Sequence, residues 1–173
     1  MQNPEALIAH GYEARRTGNP ELAKRHFSEA LERCDGSVPG VRARALTALG
    51  QVERDLKQTE SAIAHYEQAA EIYRANSDAL RLAHTIRHVA DILRGSARQA
   101  EALPLYEEAM QIYRAHPASP PLDVANALRG FALLKDDLGD REDGRSLWLE
   151  ARKLYAAVQV QAGVEECESR LKF

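Results

Sequence analysis

The chain has 173 residues, 45% apolar and 28% charged, enough to bury a core without disulfide or metal support. Its formal charge of −3 lacks the basic excess that marks most nucleic-acid binders. Two cysteines, Cys34 and Cys167, are too few and too far apart for a disulfide framework or a zinc knuckle, which points to a reduced, cytoplasmic setting.

Ala, Leu, Glu, Gln and Arg dominate and β-branched residues are scarce, so the expected class is all-α. The opening MQNPEALIAHGYEARR has no basic segment followed by an apolar one and predicts no signal peptide. Instead, Asn3-Pro4 starts a first helix over 4–17, a cap followed by a residue whose missing N–H costs nothing there. Gly18-Asn19-Pro20 breaks the chain and starts a second helix over 20–35. Helices follow over 40–56 and 60–76, divided at Gln58-Thr59, then over 78–94 and 98–115, divided at Gly95-Ser96. Pro104 removes one backbone hydrogen bond and predicts a bend or a late helix start. Two more helices cover 121–138 and 141–158, divided at Gly139-Asp140, and a last one covers 161–172. Thr59, Ser96 and Asp140 are the expected caps, and Gly163 is a mild flaw in the last helix. No apolar run reaches the roughly 18 residues of a membrane span.

The stretch AIAHYEQAAEIY at Ala62–Tyr73 returns as ALPLYEEAMQIY at Ala102–Tyr113. Both are instances of a small residue, an aromatic four further on, and Ala three beyond that. The frame recurs as Ala23/Phe27/Ala30, Ala62/Tyr66/Ala69, Ala102/Tyr106/Ala109 and Gly144/Trp148/Ala151. Seven residues past the aromatic stand Cys34, Tyr73, Tyr113 and Tyr155. Steps of 4, 3 and 4 put these residues on one helical face. Upstream of each frame is a second helical pattern, with Leu7/Gly11, Leu46/Gly50, Ile86/Ala90 and Leu128/Ala132. The small residues mark where two helices approach closely. No such helix can bury its own stripe, so each needs neighbours.

Helix–turn–helix units reading Leu-x2-Leu-Gly and then Ala-x3-Tyr-x2-Ala resemble the tetratricopeptide repeat family. The resemblance covers nearly the whole chain and implies a right-handed superhelical solenoid of four repeats, 4–37, 43–76, 83–116 and 125–158, closed by a capping helix over 161–172. The chain departs from the family pattern in lacking Trp at the first apolar position of every repeat. The family fold implies that the first helix of each repeat lines the concave side. Its inward positions here are Glu5, Ile8, Tyr12 and Arg15; Arg44, Thr47, Gln51 and Arg54; His84, Arg87, Asp91 and Arg94; and Asn126, Arg129, Leu133 and Asp136.

These positions hold six arginines and three acids inside a net-negative chain. Arg presents a planar fork to carboxylates, so the expected occupant is an extended acidic peptide or a free C-terminus of another protein. The peptide-binding candidates are Tyr12, Arg15, Arg44, Gln51, Arg54, His84, Arg87, Asp91, Arg94, Asn126 and Arg129. Ile8, Tyr12 and Leu133 are candidates for holding apolar side chains. Charge reversal at Arg87 and Arg129 is expected to abolish binding without unfolding the chain. The same positions fit a solvated face equally well, with Arg54 opposite Asp91 and Arg94 opposite Asp136 in exposed pairs. A self-assembling scaffold, with a second copy in the groove, is the alternative function. The chaperone-binding carboxylate clamp of this family does not carry over, because Ile8 and Tyr12 occupy its Lys and Asn positions.

His84 and His88, with Asp91 beyond them, could present two imidazoles and a carboxylate to a metal, but polar surface explains them as simply. Ser28, Ser61 and Ser146 lie in helical frames with no strand–elbow setting, and no phosphate loop is present. The reading is a non-enzymatic protein-binding module that needs no cofactor or metal and binds neither nucleic acid nor membrane.

Overall fold

A computed structural model describes residues 3–34 and 38–172. Among the described residues there are nine α-helices and no strand. They are α1 (Pro4–Arg16), α2 (Pro20–Glu32), α3 (Pro39–Asp55), α4 (Thr59–Ala75), α5 (Ala79–Gly95), α6 (Gln99–Ala115), α7 (Pro121–Asp137), α8 (Arg141–Ala157) and α9 (Gln161–Leu171). The all-α expectation holds, and most boundaries fall within a residue of those expected. The exception is α2, which stops at Glu32; the last residues of the first expected repeat, 35–37, lie outside the described residues. No described helix is long and apolar enough to cross a membrane. The chain divides after Thr85, inside α5, into two compact units.

The helix starts follow local chemistry. Asn3 and Asn19 cap α1 and α2, their side chains accepting from the Ala6 and Leu22 amides. Thr59 and Ser96 are not caps. Gln58 and Arg98 hold those positions, each directly following a left-handed residue, Lys57 or Ala97. Asp140 is at the N-cap of α8 without a side-chain capping bond, and its carboxylate accepts from Lys135 Nζ at 2.8 Å.

One turn geometry is used six times among the described residues. A residue with φ between 55° and 79° occupies Gly18, Lys57, Ser77, Ala97, Gly139 and Gln159. The following amide reaches back five residues, as in Asn19 to Ala14, Gln58 to Glu53 and Asp140 to Lys135, at 2.8–2.9 Å. This closes the orphan carbonyls at each helix end. Glycine fills only two of these positions. The Ala97 Cβ therefore carries left-handed strain, and Ala97→Gly is expected to raise stability by about 0.5–1 kcal/mol. A urea melt showing a lower midpoint for this variant would contradict that reading.

Pro104 does not delay the start of its helix. α6 begins at Gln99 and runs through the proline. Pro104 and Ala100, whose carbonyl loses its partner, both lie on the exposed face, where water can replace the missing bond.

In the N-terminal unit, α1 packs on α2, α2 on α3 and α3 on α4. Leu7, Ile8, Ala23, Phe27, Ala30, Leu49 and Val52 build its core. The small–aromatic frame works by close approach. A Cβ on Gly11 would fall 2.4 Å from the Phe27 ring, and one on Gly50 would fall 2.9 Å from Tyr66. Each buried ring contributes on the order of 2–3 kcal/mol, which a Cβ at the glycine would forfeit in part by pushing the ring away. Glu53 is buried among these helices, paired with Lys24 Nζ at 3.0 Å and His65 Nδ1 at 2.6 Å.

In the C-terminal unit, α6 packs on α7, α7 on α8 and α8 on α9. Tyr106 stacks on Phe131 at 5.6 Å, and Trp148 is buried with its Nε1 donating to Asp136 at 2.9 Å. Gly163 is no flaw. Its Cβ would lie 2.5 Å from the Tyr155 ring, so α9 can cover α8 only with glycine there.

Candidate peptide-binding site

In the N-terminal unit the face of α3 carries Arg44, Thr47 and Gln51 at steps of three and four, one above another. Tyr12 from α1, Tyr73 from α4, and Arg81, His84 and Thr85 from α5 complete a pocket of about 230 Å³ with them. Its lining holds two guanidinium groups and an imidazole but no carboxylate. Arg44 meets Glu5 at 3.4 Å, and Arg81 pairs with Asp78 one turn back. Both are solvent-facing pairs worth roughly 0–1 kcal/mol, which an incoming carboxylate can replace at little cost. Tyr12 is 41% exposed. Burial of its hydroxyl end raises its pKa, which keeps it a neutral donor, and burial does the same to Tyr73. Thr85 is fully buried and its Oγ1 has no hydrogen-bond partner. A buried hydroxyl left so is costly unless something else satisfies it.

The other candidates of this unit sit differently. Arg15 donates to Asp55 at 2.7 Å, and Arg54 lies 3.5 Å from the same carboxylate. Ile8 is buried in the core, so it cannot grip a ligand side chain.

In the C-terminal unit the candidates are tied to one another. Arg87 is only 7% exposed. Its Nη1 donates to Asp91 Oδ2 at 2.7 Å, and its Nη2 lies 2.9 Å from His88 Nε2. Asp91 Oδ1 accepts the Tyr106 hydroxyl at 2.6 Å. A Cβ on Gly130 would come within 2.6 Å of that same oxygen, so the glycine makes room for the bond. Asn126 Oδ1 accepts from the Tyr155 hydroxyl at 2.8 Å. Arg129 makes a two-pronged pair with Glu166 of α9 at 2.6 and 2.8 Å. Arg94 pairs with Asp137 at 3.2 Å rather than with Asp136, whose carboxylate is taken by Trp148. Leu133 is buried and gives no apolar foothold.

Two sequence expectations change here. Charge reversal at Arg87 cannot test binding in a folded chain, because Arg87 is a buried structural ion. Arg129 already has its carboxylate. Among the described residues no three His, Cys, Asp or Glu side chains gather as a metal site would require. Cys167 is buried, which pushes its thiol up to about 11 and leaves it a packing residue.

Sequence reasoning missed Tyr73, Arg81 and Thr85. Tyr73 reads as one more core aromatic. Arg81 falls in the stretch between two expected repeats, where no groove position is assigned. Thr85 adjoins His84 but shares no periodicity with the arginines. The chain itself carried one usable signal: Arg81 lies three and four residues before His84 and Thr85, within reach of one helical face.

The family model described as tetratricopeptide repeat matches residues 5–75 and 41–115. No curated protein matches. Among solved structures, BtubC (BKLC) from P. vanneervenii superposes with a TM-score of 0.80 at 17% identity, over 92% of this chain and 67% of that one. Aspartyl phosphate phosphatase F from Bacillus subtilis gives 0.85 at 13% identity, over 95% of this chain and 43% of its own. A Rap protein complexed with competence and sporulation factor gives 0.78 at 20% identity, over 92% and 44%. The chain spans less than half the length of these last two. At such identities the likeness establishes the shared helical-repeat fold.

Proposed function

From the premise that the chain belongs to the tetratricopeptide repeat family, we propose that it is a protein–protein interaction module that holds an extended acidic peptide segment in the pocket of its N-terminal unit. The observation that carries this reading is the pocket's lining: Arg44, Arg81 and His84 beside Tyr12, Gln51 and the unsatisfied Thr85 hydroxyl, with no acid among them. A ligand carboxylate would exchange with Glu5 or Asp78 for a guanidinium fork. Gln51 would take up a neighbouring amide. Tyr12, half in water, would cover an apolar side chain. One structural neighbour is itself complexed with a competence and sporulation factor, which agrees with a protein or peptide partner here.

Arg87, Arg94 and Arg129 of the C-terminal unit do not enter this reading, since their carboxylates are already supplied within the chain. The test is an array of extended peptides carrying Asp or Glu at one position, read against Asn and Gln counterparts. The full chain should prefer the acidic members. Arg44→Glu and Arg81→Glu should each weaken that binding about tenfold or more while leaving the helical spectrum intact. Acidic binding unchanged by both substitutions removes the proposal.

A further inference from the structure

A second cationic pocket lies in the C-terminal unit and plays no part in the peptide reading. It has a volume of about 300 Å³ and is lined by Asp136, Arg141, Arg145, Trp148 and Arg170. Arg141, Arg145 and Trp148 follow one another along α8 at steps of four and three, so one helical face presents them together. Arg170 comes from α9 and stands 5.9 Å over the Trp148 ring. Arg145 donates one N–H to the Leu171 carbonyl at 3.0 Å, which fixes its fork without neutralising it. Asp136 is the sole acid in the lining, and it faces the indole, accepting from Nε1.

Three guanidinium groups around one carboxylate is a costly arrangement for a resting surface. Arg141 and Arg145, four apart on a helix, repel. Arg141 is also the first residue of α8, where the helix dipole disfavours a cation. The nearby acids do not relieve this: Asp140 and Asp143 are both committed to Lys135, at 2.8 and 2.9 Å. No ion pair engages Arg141 or Arg170 among the described residues. The four charged side chains sum to a surplus of two positive charges, and a phosphate monoester carries roughly −1.5 to −2 with three acceptor oxygens for the forks.

We propose that this pocket binds a phosphate monoester dianion, with Arg141, Arg145 and Arg170 as its ligands and Trp148 as its floor. The source is either a phosphorylated side chain of a partner or a free small phosphate. Trp148 is the only tryptophan in the chain, so its emission reports on this site alone. The experiment titrates the full chain with a phosphoserine peptide, with the same peptide carrying serine, and with inorganic phosphate. Calorimetry on the same solutions covers a ligand that binds without changing emission. Saturable binding of the phosphopeptide but not of the serine peptide gives the site to a modified partner. Saturable binding of inorganic phosphate gives it to a small molecule as well. In either case Arg141→Gln, an exposed change that breaks no ion pair, should weaken binding about tenfold. The proposal is overturned if no phosphate binds, or if Arg141→Gln binds it as tightly as the parent chain. Neither result bears on the pocket of the N-terminal unit, which Arg44→Glu tests separately.

Discussion

Arg87→Glu is expected to unfold or severely loosen the C-terminal unit, with a loss of about 3–5 kcal/mol. The parent side chain bridges Asp91 at 2.7 Å and His88 at 2.9 Å while almost wholly buried. Reversal leaves Asp91 without its cation and sets a second carboxylate beside it. Tyr106 still donates to Asp91, but one neutral hydroxyl cannot offset a buried anion set beside a half-buried one. Against a typical domain stability of roughly 5–15 kcal/mol, that loss is a large fraction. Arg87→Met keeps most of the volume and removes only the attraction, so it should cost less than the reversal. The matching reversal in the N-terminal unit, Arg44→Glu, disturbs a solvent-facing pair and should shift the urea midpoint very little. Equal midpoints for Arg87→Glu and the parent chain would show that Arg87 is not held as described.

That contrast marks where the sequence was informative and where it was not. The helices were legible because each carries its own evidence: a stripe of small and aromatic residues at steps of three and four, and Asn-Pro at two starts. Close approach under Phe27 and Tyr66 followed from the glycines one helix earlier. Thr59 and Ser96 misled because the cap is whichever residue follows the left-handed one, and Lys57 and Ala97, unlike Gly18 and Gly139, have no feature that announces that conformation. Groove positions could be counted along a helix, but whether an arginine on such a position is spent depends on side chains from other helices. Glu166 lies 37 residues from Arg129, and Tyr106 lies 15 from Asp91. No local pattern links those pairs. Periodicity therefore found the face, and only packing separated the pocket around Arg44 from the closed network around Arg87.

The same buried aromatics make the fold vulnerable to alkali. Burial raises the pKa of Tyr106 far above its ordinary value of 10.0, and the negative Asp91 beside it adds to the effect. Tyr113 is raised strongly as well, first by burial and then by Asp123. Burial pushes Tyr155 up to about 12 despite the nearby Arg129. In the unfolded chain all three ionise near pH 10, whereas in the folded chain they stay protonated. Above pH 10 the unfolded state thus binds fewer protons, and stability falls as pH rises. Below pH 10 the contribution of these groups is constant and fully present. Each tyrosine costs about 1 kcal/mol between pH 10 and 11, where the unfolded group is still completing its ionisation, and about 1.4 kcal/mol per unit above that, so the three together remove roughly 3 kcal/mol between pH 10 and 11. Tyr155 stops contributing further loss near pH 12, where it ionises in the folded state too, while the other two continue. The expected result is a urea midpoint that begins to decline near pH 9, where the Cys167 thiol ionises in the unfolded chain only, and falls more steeply above pH 10 as the tyrosines add to it. Tyr106→Phe separates this cause from general charge repulsion. Removing the hydroxyl lowers stability at neutral pH, because Asp91 loses a donor, yet it should make the alkaline slope shallower by about 1.4 kcal/mol per unit. A variant with the parent's slope would mean that Tyr106 ionises freely in the folded chain and that its bond to Asp91 is not maintained in solution.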